Sequence, residues 1–290
     1  MQYMEDFPIE EINPTVSFPQ LSELPQPPKA LSMRGSLSQC QNKKFIAIVG
    51  SRAYTSYGAQ VCRDLVAGLR GYPVVIVSGL AMGIDAIAHK AALENNLTTI
   101  AFPGSGLGWD VLYPAMNKGL AKEILNAGGA MLSEYDEKFR AAHWSFPQRN
   151  RLVAGIADIV IIIEAKEKSG ALITARLGTE YNKIVGAVPG PIYSETSKGA
   201  NWLLHLGATV IRGAEDIIEE LGLKNKDHAI ELPLTNSNEE RVLLLLTEPR
   251  TKDYIIKTLE LSPAETNILF STLEIKGLIK ETYGLIERIV

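Results

Sequence analysis

The chain has 290 residues, 46% of them hydrophobic, and a formal net charge of -4 at pH 7. That length suits one large domain or two unequal ones. The mild acidity excludes a global basic field, so any nucleic-acid site has to be a local patch on an otherwise acidic surface.

The start, MQYMEDFPIEE, lacks the cationic and apolar regions of a secretion signal. No apolar run approaches the roughly 18 residues of a membrane span. The two cysteines, Cys40 and Cys62, form no CxxC pair and read as reduced thiols of a cytosolic, cytoplasmic protein.

Residues 1–42, with PQPP at 25–28, predict a loop-rich leader or the remnant of an upstream module. From Phe45 onward, short apolar runs alternate with helical patterns. FIAIV (45–49), VVIV (74–77), TTIAF (98–102), AML (130–132), DIVIII (158–163), IVGAV (184–188) and ATVI (208–211) are each nearly continuous in apolar residues. A parallel strand covered on both faces needs that pattern. Between the first two runs, Val61, Leu65 and Leu69 mark one helix face; between the next two, Ile84, Ile87, Ala88 and Ala91 do the same. Strand, helix, strand at this spacing predicts an α/β fold with a doubly wound, mostly parallel sheet over residues 43–223.

Residues 224–237 are polar, with Pro and Asn, and predict a linker. Residues 238–290 then carry helical patterns at 238–247, 251–260 and 263–276, and a hairpin around Tyr283-Gly284. Three short helices and a hairpin predict a small winged-helix domain. From Glu239 to the end, seven Lys/Arg face nine Asp/Glu. A duplex reader draws affinity from phosphate contacts, so this domain reads as a partner-binding or architectural module ahead of a groove reader.

Ligands of open α/β sheets bind beyond the carboxyl ends of the strands. Here those ends run into Gly50-Ser51-Arg52, into Ser78-Gly79-Leu80-Ala81-Met82-Gly83-Ile84-Asp85, into Pro103-Gly104-Ser105-Gly106, into Glu164 with Lys166, Lys168, Ser169 and Gly170, and into Pro189-Gly190. Glycine lets a backbone approach a phosphate, while hydroxyls and helix N-termini donate to its oxygens. With Arg149 and Arg151 nearby, the loops together predict a phosphate-binding edge. From Arg140 to Arg212 there are nine Lys/Arg and five Asp/Glu, a local +4.

Named nucleotide motifs fail. No Gly-Lys completes a Walker A loop, GSGLG at 104–108 does not fit GxGxxG, and no GxSxG elbow exists. The histidines, 89, 143, 205 and 228, lack metal-ligand spacing. The sequence therefore predicts no catalytic residue, no metal and no cofactor.

AIVGSRAYTSYG, VSGLAMGIDAIAHKAAL, FPQRNRLVAGIADIVIIIEA, SGALITARLG and VPGPIYSETSKGANWLLHLGA together closely resemble the DNA-processing protein A (DprA/Smf) family, over about residues 18–221. The resemblance implies an extended Rossmann-like domain that binds single-stranded DNA, without enzymatic activity, and assembles as a homodimer. It also implies a recombination mediator in natural transformation that loads the RecA recombinase onto incoming strands and displaces single-strand-binding protein. A C-terminal winged helix is frequent in the family. Met82 stands where the family usually has a basic residue, and against the family pattern the N-terminal helical domain is absent or reduced to the leader.

Carried onto this chain, the resemblance implies that Arg52, Ser51 and the Gly50 amide meet backbone phosphate. Ser78, Gly79, Ala81, Gly83 and Asp85 form a donor loop beside them. Arg149 and Arg151 clamp the next phosphate, Phe146 stacks on a base and Asn150 reaches a base edge or braces the loop. Lys168, Ser169, Gly170 and Thr174 complete the DNA-binding set.

Other readings of the same residues exist. The arginines could staple loops by pairing with Asp85, Glu164 or Asp158, and Phe146, beside Trp144, could simply pack under the sheet. A nucleotide-binding sensor or nucleotide phosphoribohydrolase of the related superfamily is the alternative function, although its PGGxGTxxE signature is missing. A scaffold acting through its winged helix is a third.

Overall fold

The structure is a computed structural model that describes residues 7–223, 238–259, 261–275, 278–282 and 284–288. The chain divides into two compact units, Met1–Asn225 and Lys226–Val290.

In the first unit the elements run β1 (Ile9–Ile12), α1 (Pro14–Ser17), β2 (Leu31–Gly35), β3 (Lys44–Val49), α2 (Ser56–Gly68), β4 (Val74–Ser78), α3 (Ile84–Glu94), β5 (Thr98–Ala101), α4 (Lys118–Asn126), β6 (Ala130–Ser133), α5 (Ser145–Ile156), β7 (Ile159–Ile162), α6 (Gly170–Glu180), β8 (Ile184–Ala187), α7 (Lys198–His205), β9 (Thr209–Val210) and α8 (Ala214–Glu220). Among the described residues the strands form one nine-stranded sheet in the order β1-β2-β6-β5-β4-β3-β7-β8-β9. β3 is parallel to both β4 and β7, and the parallel pairing continues outward to β6 on one side and β9 on the other. β1 and β2 pair antiparallel at one edge.

Strand periodicity explains the core. Ile46 and Ile48 of β3 face one layer with Cys62, Leu65, Val66, Ile84 and Ala88 of α2 and α3, and with Ile217 of α8. Ala47 and Val49 face the other, with Leu152 and Val153 of α5 and Ala171 and Ala175 of α6. Both faces are thus buried, which is why each central strand reads as a continuous apolar run.

The segment expected as a loop-rich leader is part of this unit. It supplies β1 and β2, and Phe18, Leu21, Leu24 and Leu31 are buried in the layer beneath α5. The prolines at 25, 27 and 28 lie between α1 and β2, where no ladder hydrogen bond is lost.

The second unit holds α9 (Asn238–Leu245), β10 (Arg250–Thr251), α10 (Lys252–Leu259), α11 (Pro263–Ile275), β11 (Ile279–Thr282) and β12 (Leu285–Arg288). The three strands pair antiparallel in the order β10-β12-β11. Val242, Leu246, Ile255, Leu259, Phe270, Leu273, Ile279 and Ile286 form its own core. The expected linker at 224–237 lies outside the described residues. Among the described residues no helix is long and apolar enough to cross a membrane.

Candidate nucleic-acid groove

The chain leaves β3 for β4 on one side of the sheet and later returns to place β7 on the other. The carboxyl ends of β3 and β7 therefore flank the topological switch point, where the following loops diverge and leave a crevice. A groove of about 750 Å³ opens there. Its lining combines the turn after β3 (Gly50, Ser51, Arg52, Ala53), Ala81 and Asp85 before and in α3, the start of α5, and the β7–α6 loop with Lys166, Lys168, Ser169 and Gly170. Four cations, Arg52, Arg149, Lys166 and Lys168, and one carboxylate, Asp85, face it.

The β4–α3 loop is shaped by constraint. Gly83 caps α3 at φ +84, and an added Cβ would run into the Ser51 carbonyl. Only glycine combines that conformation with that approach. Leu80 adopts φ +56, a strained state for a branched side chain, and Asn117 holds it by donating through Nδ2 to the carbonyls of Leu80 (2.8 Å) and Ala81 (3.2 Å). Ser78 is fully buried; its hydroxyl donates to the Ile48 carbonyl at 2.6 Å, fastening β4 to β3. Ser78 and Gly83 shape the loop and do not line the groove.

The motif FPQRNR forms the first turns of α5, with Pro147 in the opening turn, where its missing N–H costs nothing. Residues three and four apart share a helix face. Phe146, Arg149 and Asn150 accordingly turn to the groove, whereas Arg151, two residues after Arg149, points away. Arg151 pairs with Glu134 and donates to the Gln26 carbonyl at 2.8 Å. The expected double-arginine clamp is therefore corrected, because helical geometry sends the two guanidiniums to opposite sides.

Arg149 lines the groove but is only 5% exposed. Its guanidinium donates to the Gly79 carbonyl and, through Nε, to Asn150 Oδ1 at 3.1 Å. A Cβ at Gly79 would collide with this guanidinium. Burial pulls the Arg149 pKa down to about 10, with Asp85 opposing that shift and the Arg52 charge adding to it. The buried Asp85 carboxyl is pushed up by desolvation and restrained by Arg149 and by the amides of Ala81 and Gly79, the latter at 3.1 Å. Arg149 and Asp85 thus brace the floor of the groove through the Gly79 backbone, one at its carbonyl and the other at its amide, and no ion pair joins them, so the stapling reading is not met for this pair.

Arg52 differs. It is exposed, and among the described residues no carboxylate lies within ion-pair distance of Arg52, Lys166 or Lys168. Its guanidinium sits 5.1 Å over the Phe146 ring, and Tyr113 approaches the same ring at 5.7 Å. Phe146 meets Tyr113 and Arg52 in the lining of the groove and does not pack under the sheet as the alternative had it. Ser51 is locally engaged, its hydroxyl donating to the Ala53 carbonyl at 2.8 Å.

Ser169 caps α6 by accepting from the Ala171 amide at 3.2 Å, so the α6 N-terminus opens onto the groove beside Gly170 and the buried Thr174. Asn150 spans the two walls, donating weakly to the Gly170 carbonyl at 3.3 Å. Tyr113, His143 and Lys166 line the groove as well, although the motif reading left them out of the site. Lys166 was legible as a second cation of its loop; Tyr113 lies far from any quoted motif.

The family described as DNA recombination-mediator protein A matches residues 12–222. Protein Smf of Escherichia coli is 39% identical over 203 residues, covering 70% of this chain and 54% of that protein, so this chain spans about half the length of that relative. DNA processing protein DprA of Streptococcus pneumoniae is 42% identical over 200 residues, 69% of each chain. The X-ray structure of DNA processing protein A from S. pneumoniae superposes with a TM-score of 0.67 at 38% identity, covering 74% of this chain and 75% of that one. DNA processing protein A from Helicobacter pylori, whose structure is described with a unique single-stranded DNA binding mode, superposes at 0.66 with 34% identity over 76% of this chain and 98% of that one. The chain belongs to the DNA recombination-mediator protein A family, the DprA/Smf proteins.

Proposed function

We propose that this protein binds single-stranded DNA along the groove, without catalysis or cofactor, and acts as a recombination mediator. The observation that carries this is the set of solvent-facing cations, Arg52, Lys166 and Lys168, beside the Phe146 ring and the α6 N-terminus. Phosphates need exposed cations and amide donors, and splayed bases need an aromatic face. Its H. pylori relative is described with single-stranded DNA, which supports the same ligand here.

Arg52 meets a phosphate while its guanidinium and Phe146 offer a paired stacking surface; Lys166, Lys168, Ser169 and Gly170 receive the next phosphate. Arg149 holds the loops in register. In the cell the protein hands strands taken up by natural transformation to the RecA recombinase, displacing single-strand-binding protein, and it works in the cytoplasm as a homodimer. The exposed Trp202 of α7, Leu206 just past its end and Val210 of the edge strand β9 supply an apolar face suited to that dimer. The second unit is a winged helix that binds a protein partner, consistent with its net charge of -2 between Glu239 and Val290.

A gel shift with single-stranded, duplex and mononucleotide ligands tests the ligand class. Retardation of single strands alone is expected. Tight mononucleotide capture without strand binding would favour the nucleotide-sensor alternative. RecA filament assembly on strands coated with single-strand-binding protein, with and without this protein, tests the mediator step.

A further inference from the structure

One rim of the groove is the segment 134–144, running from the end of β6 to α5. Its inner side supplies Ala141, Ala142 and His143 to the lining. Its outer side carries an aromatic cluster that the groove does not use. Tyr135 and Phe139 stack at 4.4 Å, and Trp144 meets both edge-on, at 5.9 Å from Tyr135 and 5.5 Å from Phe139. Trp144 is nevertheless 56% exposed.

We propose that Trp144 is a second base-stacking platform, over which the single strand passes as it crosses the rim out of the groove. This extends and rests on the strand-binding reading above. Three features support it.

The indole is held in place. Tyr135 donates to the Ser145 carbonyl at 3.0 Å, and the segment is clasped to the β5 loop by Gly106 donating to Phe139 O (2.9 Å), Gly108 donating to Glu137 O (2.9 Å) and Ser145 Oγ donating to Gly104 O (2.6 Å). An aromatic side chain on a clasped segment, buttressed by two neighbouring rings, loses less entropy when a base lands on it. The platform also adjoins the groove directly, since His143 precedes Trp144 and Phe146 follows two residues later, both in the lining.

Finally, the chemistry suits a base more than a phosphate. Exposed Lys138 and Arg140 are balanced by exposed Asp136 and Glu137 on the same segment, while Glu134 is taken up by Arg151. Attraction there comes from stacking, which every base can provide and salt barely screens.

The test is fluorescence anisotropy of the full chain, carrying Trp144→Ala or Trp144→Phe, on oligo-dT of about six and about twenty nucleotides, lengths that bracket common single-strand site sizes. For Trp144→Ala the expected result is wild-type affinity for the short strand and on the order of tenfold weaker binding of the long one. Trp144→Phe should recover most of that loss, with the salt dependence unchanged in both variants. Equal affinity of wild type and Trp144→Ala for the long strand overturns the proposal. So does an equal loss on both lengths accompanied by a lower melting temperature, which makes Trp144 a packing residue of the rim. If the wild type binds neither strand, the groove reading itself has failed, an outcome distinct from a silent Trp144.

Discussion

Arg52 and Arg149 stand in motifs of equal prominence, yet burial separates their roles. Removing exposed Arg52 strands no partner, so Arg52→Ala should leave unfolding free energy within about 0.5 kcal/mol of wild type while weakening strand binding and lowering its salt slope by about one. Arg149→Ala should do the reverse in order of severity. It leaves the buried Gly79 carbonyl without its guanidinium donor and removes a nearby positive charge from Asp85, a loss of about 1–3 kcal/mol measurable by urea unfolding.

His89 offers a separate check of burial. It is fully buried in α3, and the Thr99 hydroxyl donates to Ile76 O, so Nδ1 of His89 donates to Thr99 at 2.7 Å and Nε2 stays a bare acceptor. Desolvation, with the Arg149 charge, pulls its pKa down to about 3. Below the ordinary value of 6.5 the unfolded chain takes up a proton that the folded chain refuses, so stability present above that pH is lost as pH falls. Between pH 6.5 and 5 the loss should reach about 1.6 kcal/mol, and His89→Gln should flatten that part of the urea-unfolding profile. An unchanged profile in the variant would show that His89 titrates normally.

At the level of elements, the seven strands β3 to β9 were legible because burial on both faces leaves little room for polar residues. β1 and β2 were not. IEEI is mixed in polarity because β1 is the exposed edge of the sheet, LSMRG because its buried Arg34 donates to the Leu107 carbonyl, and the Pro-rich stretch between them masks the pairing. The first turns of α5 also escaped notice, with Pro147 inside them, and that is why Arg149 and Arg151 read as one clamp. Burial of Arg149 could not be read at all, since it depends on Gly79 and Asp85 arriving from another loop. The β4–α3 loop gives the element-scale prediction. Gly83→Ala forces a side chain into a left-handed site against Ser51, so it should cost more than about 1 kcal/mol and weaken strand binding by displacing the Arg52 turn. Wild-type affinity in a folded Gly83→Ala variant would show that this turn does not set the site.

Across the whole molecule, every groove residue belongs to the first compact unit, and the second has its own core. A chain ending at residue 225 should therefore keep its affinity for oligo-dT. A collapse of binding on that truncation, with the first unit still folded, would assign strand contacts to the second unit.

The central claim concerns the free cations at the switch point of the sheet. Its most direct test is anisotropy of labelled oligo-dT and of the matching duplex, titrated with wild type and Arg52→Ala over a range of salt concentrations. Single-strand binding that weakens with salt, exceeds duplex binding and falls sharply in Arg52→Ala is the expected result. Equal affinity of the two proteins for single strands, or a preference for duplex, would contradict it.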